Sequence, residues 1–492
     1  MGPEFSYDGL AYQPHGGFVV VSTGSDSSDA GVVARVFDAS GNGGASIVVN
    51  TYTPGRQWEP SVTVDEDGDF VVVWGGYTPS DLDEGVFAQR FDADGARIGT
   101  EFLVNTVTEG AQFVAHVDNT PAGGFVVVWD TGSYQAPVHQ IYGRRFDSSA
   151  AAEGSEFAIA ESAVGDPRGV RIVVAADGRS LATWWRSEGA VSDYDVFARM
   201  YDSAGAAAGT EFRVNSYTPA TQWVPSAIAL ANGSFVVTWT GFGAKDQDGA
   251  GISARTIDPS GVPAGTEFQV NSYTTGAQYF SSIATVGNDS FVVAWTGSGP
   301  GGDGTDIVAR VFNANAAPLS DDFLVNTPGT PVVTTTTTTV PDSRDVRGTA
   351  WHGDRRSDIA NVNVVNSTTT SSGWFPGTTF VSTTLPGGGE LLASVAGHES
   401  GRFVVTWNEL SEGGIFAQRF TLNPRCSDAD DDDAFDATDA LHTLRAAVGA
   451  VSCAPCICDV SGGGGVTARD ALIVLQQAVG LQPELHCSAC GG

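Results

Sequence analysis

Residues 70–74 read Phe-Val-Val-Val-Trp, an apolar strand that ends on a tryptophan, and this segment keeps returning along the chain. Related segments close on Trp129, Trp185, Trp239, Trp295, Trp351 and Trp407, at intervals of 55, 56, 54, 56, 56 and 56 residues, and Ser22 holds the same place in a first unit. Self-similarity with a period slightly above 50 residues is the signature of a repeat architecture. Each copy carries four strand-like segments. In the second unit these are PSVTV (60–64), FVVVW (70–74), VFAQRF (86–91) and EFLVN (101–105). The turn DEDG joins the first two and DADGARIG the last two, both hairpin signals, and a link of about ten residues leads onward.

Four hairpin-joined strands per repeat describe one blade of a β-propeller. A single four-stranded sheet cannot bury both faces, whereas a ring of sheets covers each against its neighbour. Apolar runs without alternation belong to strands covered on both sides. The expected fold is therefore all-β: an eight-bladed propeller of four-stranded antiparallel blades over residues 7–425, with the tryptophans packed between blades. Two units are irregular. In the seventh, 331–384, VVTTTTTTV stands where the inner strand belongs and VRGTAW replaces FVVVW. The eighth stops after IFAQRF at Phe420, which leaves the ring one outer strand short. Residues 1–6, with the opening MGPEF, read as an expression scar, so a removed leader is one source of that strand. A strand from another chain is the other source, through self-assembly at an open blade edge.

Charge sets the partners. Fifty-seven acidic residues against 24 basic ones give a net charge of −33, and Lys245 is the sole lysine. Such a surface repels nucleic acid and anionic lipid and suits cations, Ca²⁺ above all. No window approaches the ~20 apolar residues of a membrane helix, so membrane insertion is not expected.

Within the ring the residues offer no catalytic motif. The blades resemble, in a general way, those of sialidase-like and other bacterial surface propellers, with RFDADG at the place of the sialidase Asp-box, although the box S-x-D-x-G-x-x-W itself is absent. Arg35, Arg90, Arg145, Arg199, Arg255, Arg310 and Arg419 recur with the repeat, which points to blade-to-blade pairing rather than catalysis. His15, His116, His139, His352 and His398 are scattered, and no serine sits in a G-x-S-x-G elbow. Two loop families could bind a ligand. The inter-blade links place a glutamine before an aromatic ring at Gln57/Trp58, Gln112/Phe113, Gln222/Trp223 and Gln278/Tyr279. An amide beside a flat ring is how many lectins hold sugars, and the same pair also serves as a packing plug between blades. The acidic loops SDLDEG, DQDGAG and GGDGTD carry oxygens for Ca²⁺, at irregular spacing, and also read as solvated turns.

All six cysteines lie between Cys426 and Cys490, which places a domain boundary near residue 425. Two ungapped copies follow, DADDDDAFDATDALHTLRAAVG from Asp428 and DVSGGGGVTARDALIVLQQAVG from Asp459. In the first, Asp428, Asp430, Asp432, Asp436 and Asp439 occupy positions 1, 3, 5, 9 and 12 of a calcium loop, where alternate oxygens wrap one ion. In the second, Asp459, Ser461 and Asp470 keep three of those places and Gly463 loses one. Leu441, Leu444 and Val448, and again Leu472, Leu475 and Val479, share one face of an amphipathic helix. The tandem loop–helix pattern over residues 426–492 resembles a type I dockerin. The resemblance implies Ca²⁺-dependent folding and docking onto a cohesin-like protein. Cys453, Cys456 and Cys458 after the first helix, and Cys487 and Cys490 after the second, leave zinc and disulfides both open. The even total in a secreted acidic chain favours disulfides.

The expectation is a secreted, cell-surface protein, a non-catalytic adhesin- or lectin-like propeller tethered through a Ca²⁺ module to a cohesin-like partner or surface glycan. A glycan-active hydrolase or lyase with an axial site is the alternative, and a structural subunit of a filament or surface layer a further one.

Overall fold

The computed structural model describes residues 9–325 except 27–29, 79–80, 133–138, 161–164, 188–193, 244–245, 247, 288–289 and 300–305. Beyond them it describes 366–368, 379–381, 390–398, 401–409, 415–421, 441, 443–444, 447 and 466–478. No helix among these residues is long and apolar enough to cross a membrane.

Six four-stranded antiparallel sheets span 10–48, 57–103, 111–160, 168–213, 222–269 and 278–324, and a three-stranded sheet spans 390–421. Strands follow one another in sequence order within each sheet. The first strand of each is innermost, and the second is the Phe-Val-Val-Val-Trp segment. Each apolar core is shared by neighbouring sheets. Val71, Val73 and Val86 of the second blade pack with Val117, Val127 and Trp129 of the third.

This ring closes with seven blades, which corrects the expectation of eight. The sheet at 390–421 packs directly against the sixth blade, where Ala284, Val286 and Val292 share a core with Ala393, Val395 and Val405. On its other side Ala396, Val404 and Ala417 meet Leu10, Phe18 and Val20 of the first blade. Across the junction of blades 6 and 7 the Val395 N–H donates to Ser282 Oγ at 3.1 Å, and the Gly287 N–H to the His398 carbonyl at 2.9 Å. No space is left between them for another sheet. The physical reason is legible in the seventh repeat, whose threonine tract and VRGTAW cannot cover two sheet faces as FVVVW does. Trp351 and residues 331–365 lie outside the described residues.

A second correction concerns register. In the fourth blade the tryptophan equivalent to Trp74 is Trp184, not Trp185. Trp184 pairs with Phe197 as Trp74 pairs with Phe87. Trp74, Trp129, Trp184, Trp239 and Trp295 are all no more than 1% exposed. Trp185 points to the other face of the sheet and is partly exposed.

The repeated polar residues are structural. In EFLVN the asparagine clamps its own blade: Asn105 Oδ1 accepts from the Val86 N–H at 2.9 Å, and its Nδ2 donates to the Val107 carbonyl and to Gln112 Oε1. Asn271 repeats this with Ile252, Tyr273 and Gln278. The acidic residue of the same motif links blades. Glu101 accepts from the Thr51 N–H and Asp322 from the Ser272 N–H, 50 residues earlier in each case. Three of the recurring arginines link blades, through backbone carbonyls: Arg199 donates to Ile159, Arg255 to Val214 and Arg310 to Val270, whereas Arg35 and Arg145 bond within their own blades. The Asp of RFDADG closes its own turn, since Asp92 Oδ1 accepts from the Ala96 N–H at 2.7 Å.

Candidate functional site

The inter-blade links and the outgoing ends of the second strands lie on one face of the ring, since Gln112 pairs with Thr131 and Gln57 with Gly76. Most of the Gln–aromatic pairs are occupied within the protein. Gln57, Gln112, Gln222 and Gln278 are no more than 2% exposed. Gln112 and Gln278 accept from the clamp asparagines, and Gln222 accepts from the Trp239 indole N–H at 3.0 Å. Their amides sit where a packing plug would. Trp58 and Phe113 are also buried, at 6% and 7% exposure, whereas Trp223 and Tyr279 are partly exposed.

The fourth blade breaks this pattern, and a distinct group of side chains gathers there. Its link reads VGDPRGV in place of a Gln–aromatic pair. Asp166 takes His139 Nδ1 as a close partner on Oδ1, and its Oδ2 accepts from Arg168 Nε at 2.7 Å. His139 is 3% exposed and lies edge-on to Phe113, with ring centroids 5.8 Å apart. Asp130 is 1% exposed and accepts from the Gly169 N–H at 2.7 Å and the Val170 N–H at 3.3 Å. The corresponding residue of the fifth blade is Thr240, which accepts from the Phe280 N–H at 2.9 Å. In the fifth blade a neutral hydroxyl serves; here a carboxyl does.

The two carboxyls of this junction are displaced in opposite directions. Burial pushes Asp130 up to about 7, against the opposing pull of the Gly169 and Val170 N–H groups and of Arg171 and Arg168. Burial also works to raise Asp166, but hydrogen bonds from His139 and Arg168 outweigh it and hold that carboxyl below its ordinary value.

An aromatic platform adjoins them. Trp185 pairs across the sheet with Arg168, meets Tyr194 edge-on at 4.8 Å and meets Trp223 at 6.3 Å. Trp223 continues to Phe280 at 5.9 Å. The local backbone makes room for it. At the bulge that opens each inner strand, Glu59, Val114, Val224 and Phe280 adopt φ of 50 to 58°, but the fourth blade has Gly169 at +65°. A Cβ on Gly169 would lie 2.6 Å from Trp185 Nε1, so only glycine lets the indole lie over this strand.

Below this face the inner strands enclose an axial channel of about 430 Å³. Of the residues paired with the position before each core tryptophan, Ser226, Ser282 and Ser394 line it, as do His116 and Arg171 in the third and fourth blades; Ser61 is the equivalent in the second. Ser61 and His116 serve one purpose, accepting the Val117 and Ile172 N–H groups of the following blade. His116 accepts through Nδ1, so that nitrogen carries no proton. Blades 3 and 4 thus depart from the repeat both at the rim and along the axis.

Among the metal candidates, Asp428, Asp430, Asp432, Asp436, Asp439, Asp459 and Ser461 lie outside the described residues, as do all six cysteines. Asp470 is fully buried, and its Oδ2 accepts from the Thr467 N–H and hydroxyl at 2.8 and 2.6 Å, capping the helix Ala468–Ala478. On that helix Leu472 and Leu475 are exposed by 55% and 41%, while Ala471 and Val474 are buried. Leu441 and Leu444 are exposed as well. In the acidic loops, Asp246 is buried against Asn271, and Asp306 accepts from the Gly299 N–H. Among the described residues no group of three or more His, Cys, Asp or Glu could hold a metal ion.

The rim residues Asp130, His139, Asp166 and Arg168 belong to no repeating motif, so the repeat pattern does not mark them. Their signal was the single inter-blade link among blades 2–6 without a Gln–aromatic pair.

No protein-family model matches the chain, and no curated protein matches it. Solved structures do. A Dyadobacter fermentans protein of unknown function is 11% identical over 63% of this chain and 94% of its own, with a TM-score of 0.46. An α-L-arabinanase from Penicillium chrysogenum, complexed with arabinobiose, is 11% identical over 74% of this chain and 92% of its own, with a TM-score of 0.43. An α-L-arabinofuranosidase from Fusarium graminearum in complex with an iminosugar inhibitor is 12% identical over 74% and 92%, with a TM-score of 0.42.

Proposed function

We propose that the protein is a glycan-binding propeller whose recognition site is the rim of blades 3 to 5. The observation that carries this reading is the partly exposed Trp185–Trp223 platform set beside Asp166 and Arg168. An indole face stacks on the C–H face of a sugar, and a charged edge supplies hydrogen bonds to its hydroxyls. The other repeated polar residues are consumed in holding blades together, so selectivity falls to the exceptional junction. Calorimetry against a panel of soluble oligosaccharides tests it. Binding that disappears in Trp185→Ala and persists in Tyr279→Ala supports the assignment; equal binding in wild type and Trp185→Ala removes it.

Hydrolysis of the bound glycan is the second reading, favoured by the Asp166 carboxyl. Asp166, partly exposed and held ionised, is the carboxyl able to act as base or nucleophile, while the buried Asp130 holds the Gly169–Val170 backbone in position. Release of reducing sugar, abolished in Asp166→Asn, distinguishes an enzyme from a binder. The dockerin-like pattern at residues 426–492 adds a proposed Ca²⁺-dependent tether to a cohesin-like partner on an extracellular surface. Calorimetric titration of Ca²⁺ into chelator-treated protein, with Asp430→Ala and Asp432→Ala as controls, tests that tether.

A further inference from the structure

We infer that the last blade is completed in cis, by the strand Thr379–Val381, a relic of the seventh repeat that became a fourth strand instead of a blade. Among the described residues, blades 1–6 each carry a fourth strand and the last blade has three. Its third strand, Ile415–Thr421, therefore presents an edge that needs a partner.

Four observations identify that partner. The first is the fourth-strand register, which is constant round the ring. The third-strand alanine opposes one residue of the fourth strand: Ala88 opposes Phe102, Ala198 opposes Phe212, Ala254 opposes Phe268 and Ala309 opposes Phe323. Ala417 is that alanine in the last blade, since it pairs with Thr406 as Ala88 pairs with Val73. The second is sequence. Residues 377–381 read GTTFV, against GTEFL at 99–103, GTEFR at 209–213 and GTEFQ at 265–269. Eight residues then separate Val381 from the inner strand at Glu390, as eight separate Arg213 from Gln222 and Gln269 from Gln278.

The third is placement. The strand Thr379–Val381 lies alongside Ile415–Thr421, and its other pairing is with Asn366–Thr368. The fourth is an orphaned amide. Gln418 is fully buried, and neither its nitrogen nor its oxygen has a hydrogen-bond partner. Its counterpart in the second blade, Gln89, is also fully buried, and its Nε2 donates to the Ile98 carbonyl at the start of the fourth strand. The buried Nε2 at this position finds its acceptor on a fourth strand, although Gln89 Oε1 is left without a partner, so the unpartnered Gln418 Nε2 marks where such a strand belongs.

The register follows: Ala417 opposite Phe380, and Phe416 opposite Val381. The chain enters its last blade by the outermost strand and leaves by the third. The ring is thereby clasped from upstream, and the edge is withdrawn from self-assembly.

Cysteine cross-linking in the full chain tests this. Opposed residues in neighbouring strands meet the geometry a disulfide needs, and diagonal ones do not. Under mild oxidation Val381→Cys with Phe416→Cys should bridge within one chain, at least about tenfold faster than Thr379→Cys with Phe416→Cys. Mass spectrometry of the bridged peptides separates this bond from those of the native cysteines, and circular dichroism confirms that both variants are folded. A 381–416 bridge between two chains would overturn the inference in favour of strand exchange. A folded variant that forms no such bridge, or bridges at the control rate, would overturn it outright.

Discussion

Two adjacent tryptophans in the fourth blade should behave as different kinds of residue. Trp184 is wholly buried in a core with Val126, Val128 and Ile141 of the third blade. Its replacement by alanine removes an indole from a space that closes only partly, at a cost of about 3–5 kcal/mol. Trp185 lies on the opposite side of the same sheet, partly in solvent, with edge contacts to Tyr194 and Trp223 at 4.8 and 6.3 Å. Two such contacts contribute about 0.5–1.5 kcal/mol each, so Trp185→Ala should cost roughly 1–2 kcal/mol after partial exposure is allowed for. Urea denaturation followed by far-ultraviolet circular dichroism reads both, with the midpoint of Trp184→Ala displaced two to three times further, to about the ratio of those costs. Calorimetry should reverse the order: Trp185→Ala abolishes oligosaccharide binding, and Trp184→Ala keeps it wherever the protein remains folded. Equal losses of stability would mean that Trp185 is a core residue. The platform reading would then fail, whatever the binding data showed.

Other consequences can be measured in the same way. Asn105→Ala strands the buried Val86 N–H and the Gln112 amide oxygen, and should lower stability by about 2–4 kcal/mol in the same urea assay. Asp130 carries a folded-state value of about 7 against an ordinary 3.8, so its contribution is fully present below about pH 4 and is lost as pH rises through 7. The stability of wild type relative to Asp130→Asn should therefore decline from pH 4 to 8; a difference that stays flat with pH contradicts the assignment. Gly169→Ala forces a Cβ against Trp185 Nε1 at a φ of +65°. It should weaken oligosaccharide binding at least about tenfold while costing about 1 kcal/mol in the denaturation midpoint, and unchanged affinity would show that the indole position is not set by this glycine.

Local chemistry determined the blades. Phe-Val-Val-Val-Trp has the length and apolarity of a strand covered on both faces, and its hairpin turns dictate antiparallel neighbours, so the propeller was legible from the recurrence of the four-strand unit seen at residues 60–105. The structural role of the recurring arginines was legible because they recur with the repeat, but only the structure showed that Arg199, Arg255 and Arg310 link blades while Arg35 and Arg145 bond within their own. Counting copies could not number the blades, because sequence similarity persists where packing capacity does not. Residues 331–384 retain the repeat spacing without the apolar strand needed to cover two neighbours. Only the core that Val286 shares with Val395, and the hydrogen bond from the Val395 N–H to Ser282, decided the matter in favour of seven. Tertiary structure likewise separated Trp184 from Trp185, since strand register fixes which of two consecutive side chains meets the adjacent blade. The gathering of Asp130, His139, Asp166 and Arg168 depends on the same cause. These residues lie up to 38 positions apart and on two sheets, and they become neighbours only when the ring brings one blade's loops against the next.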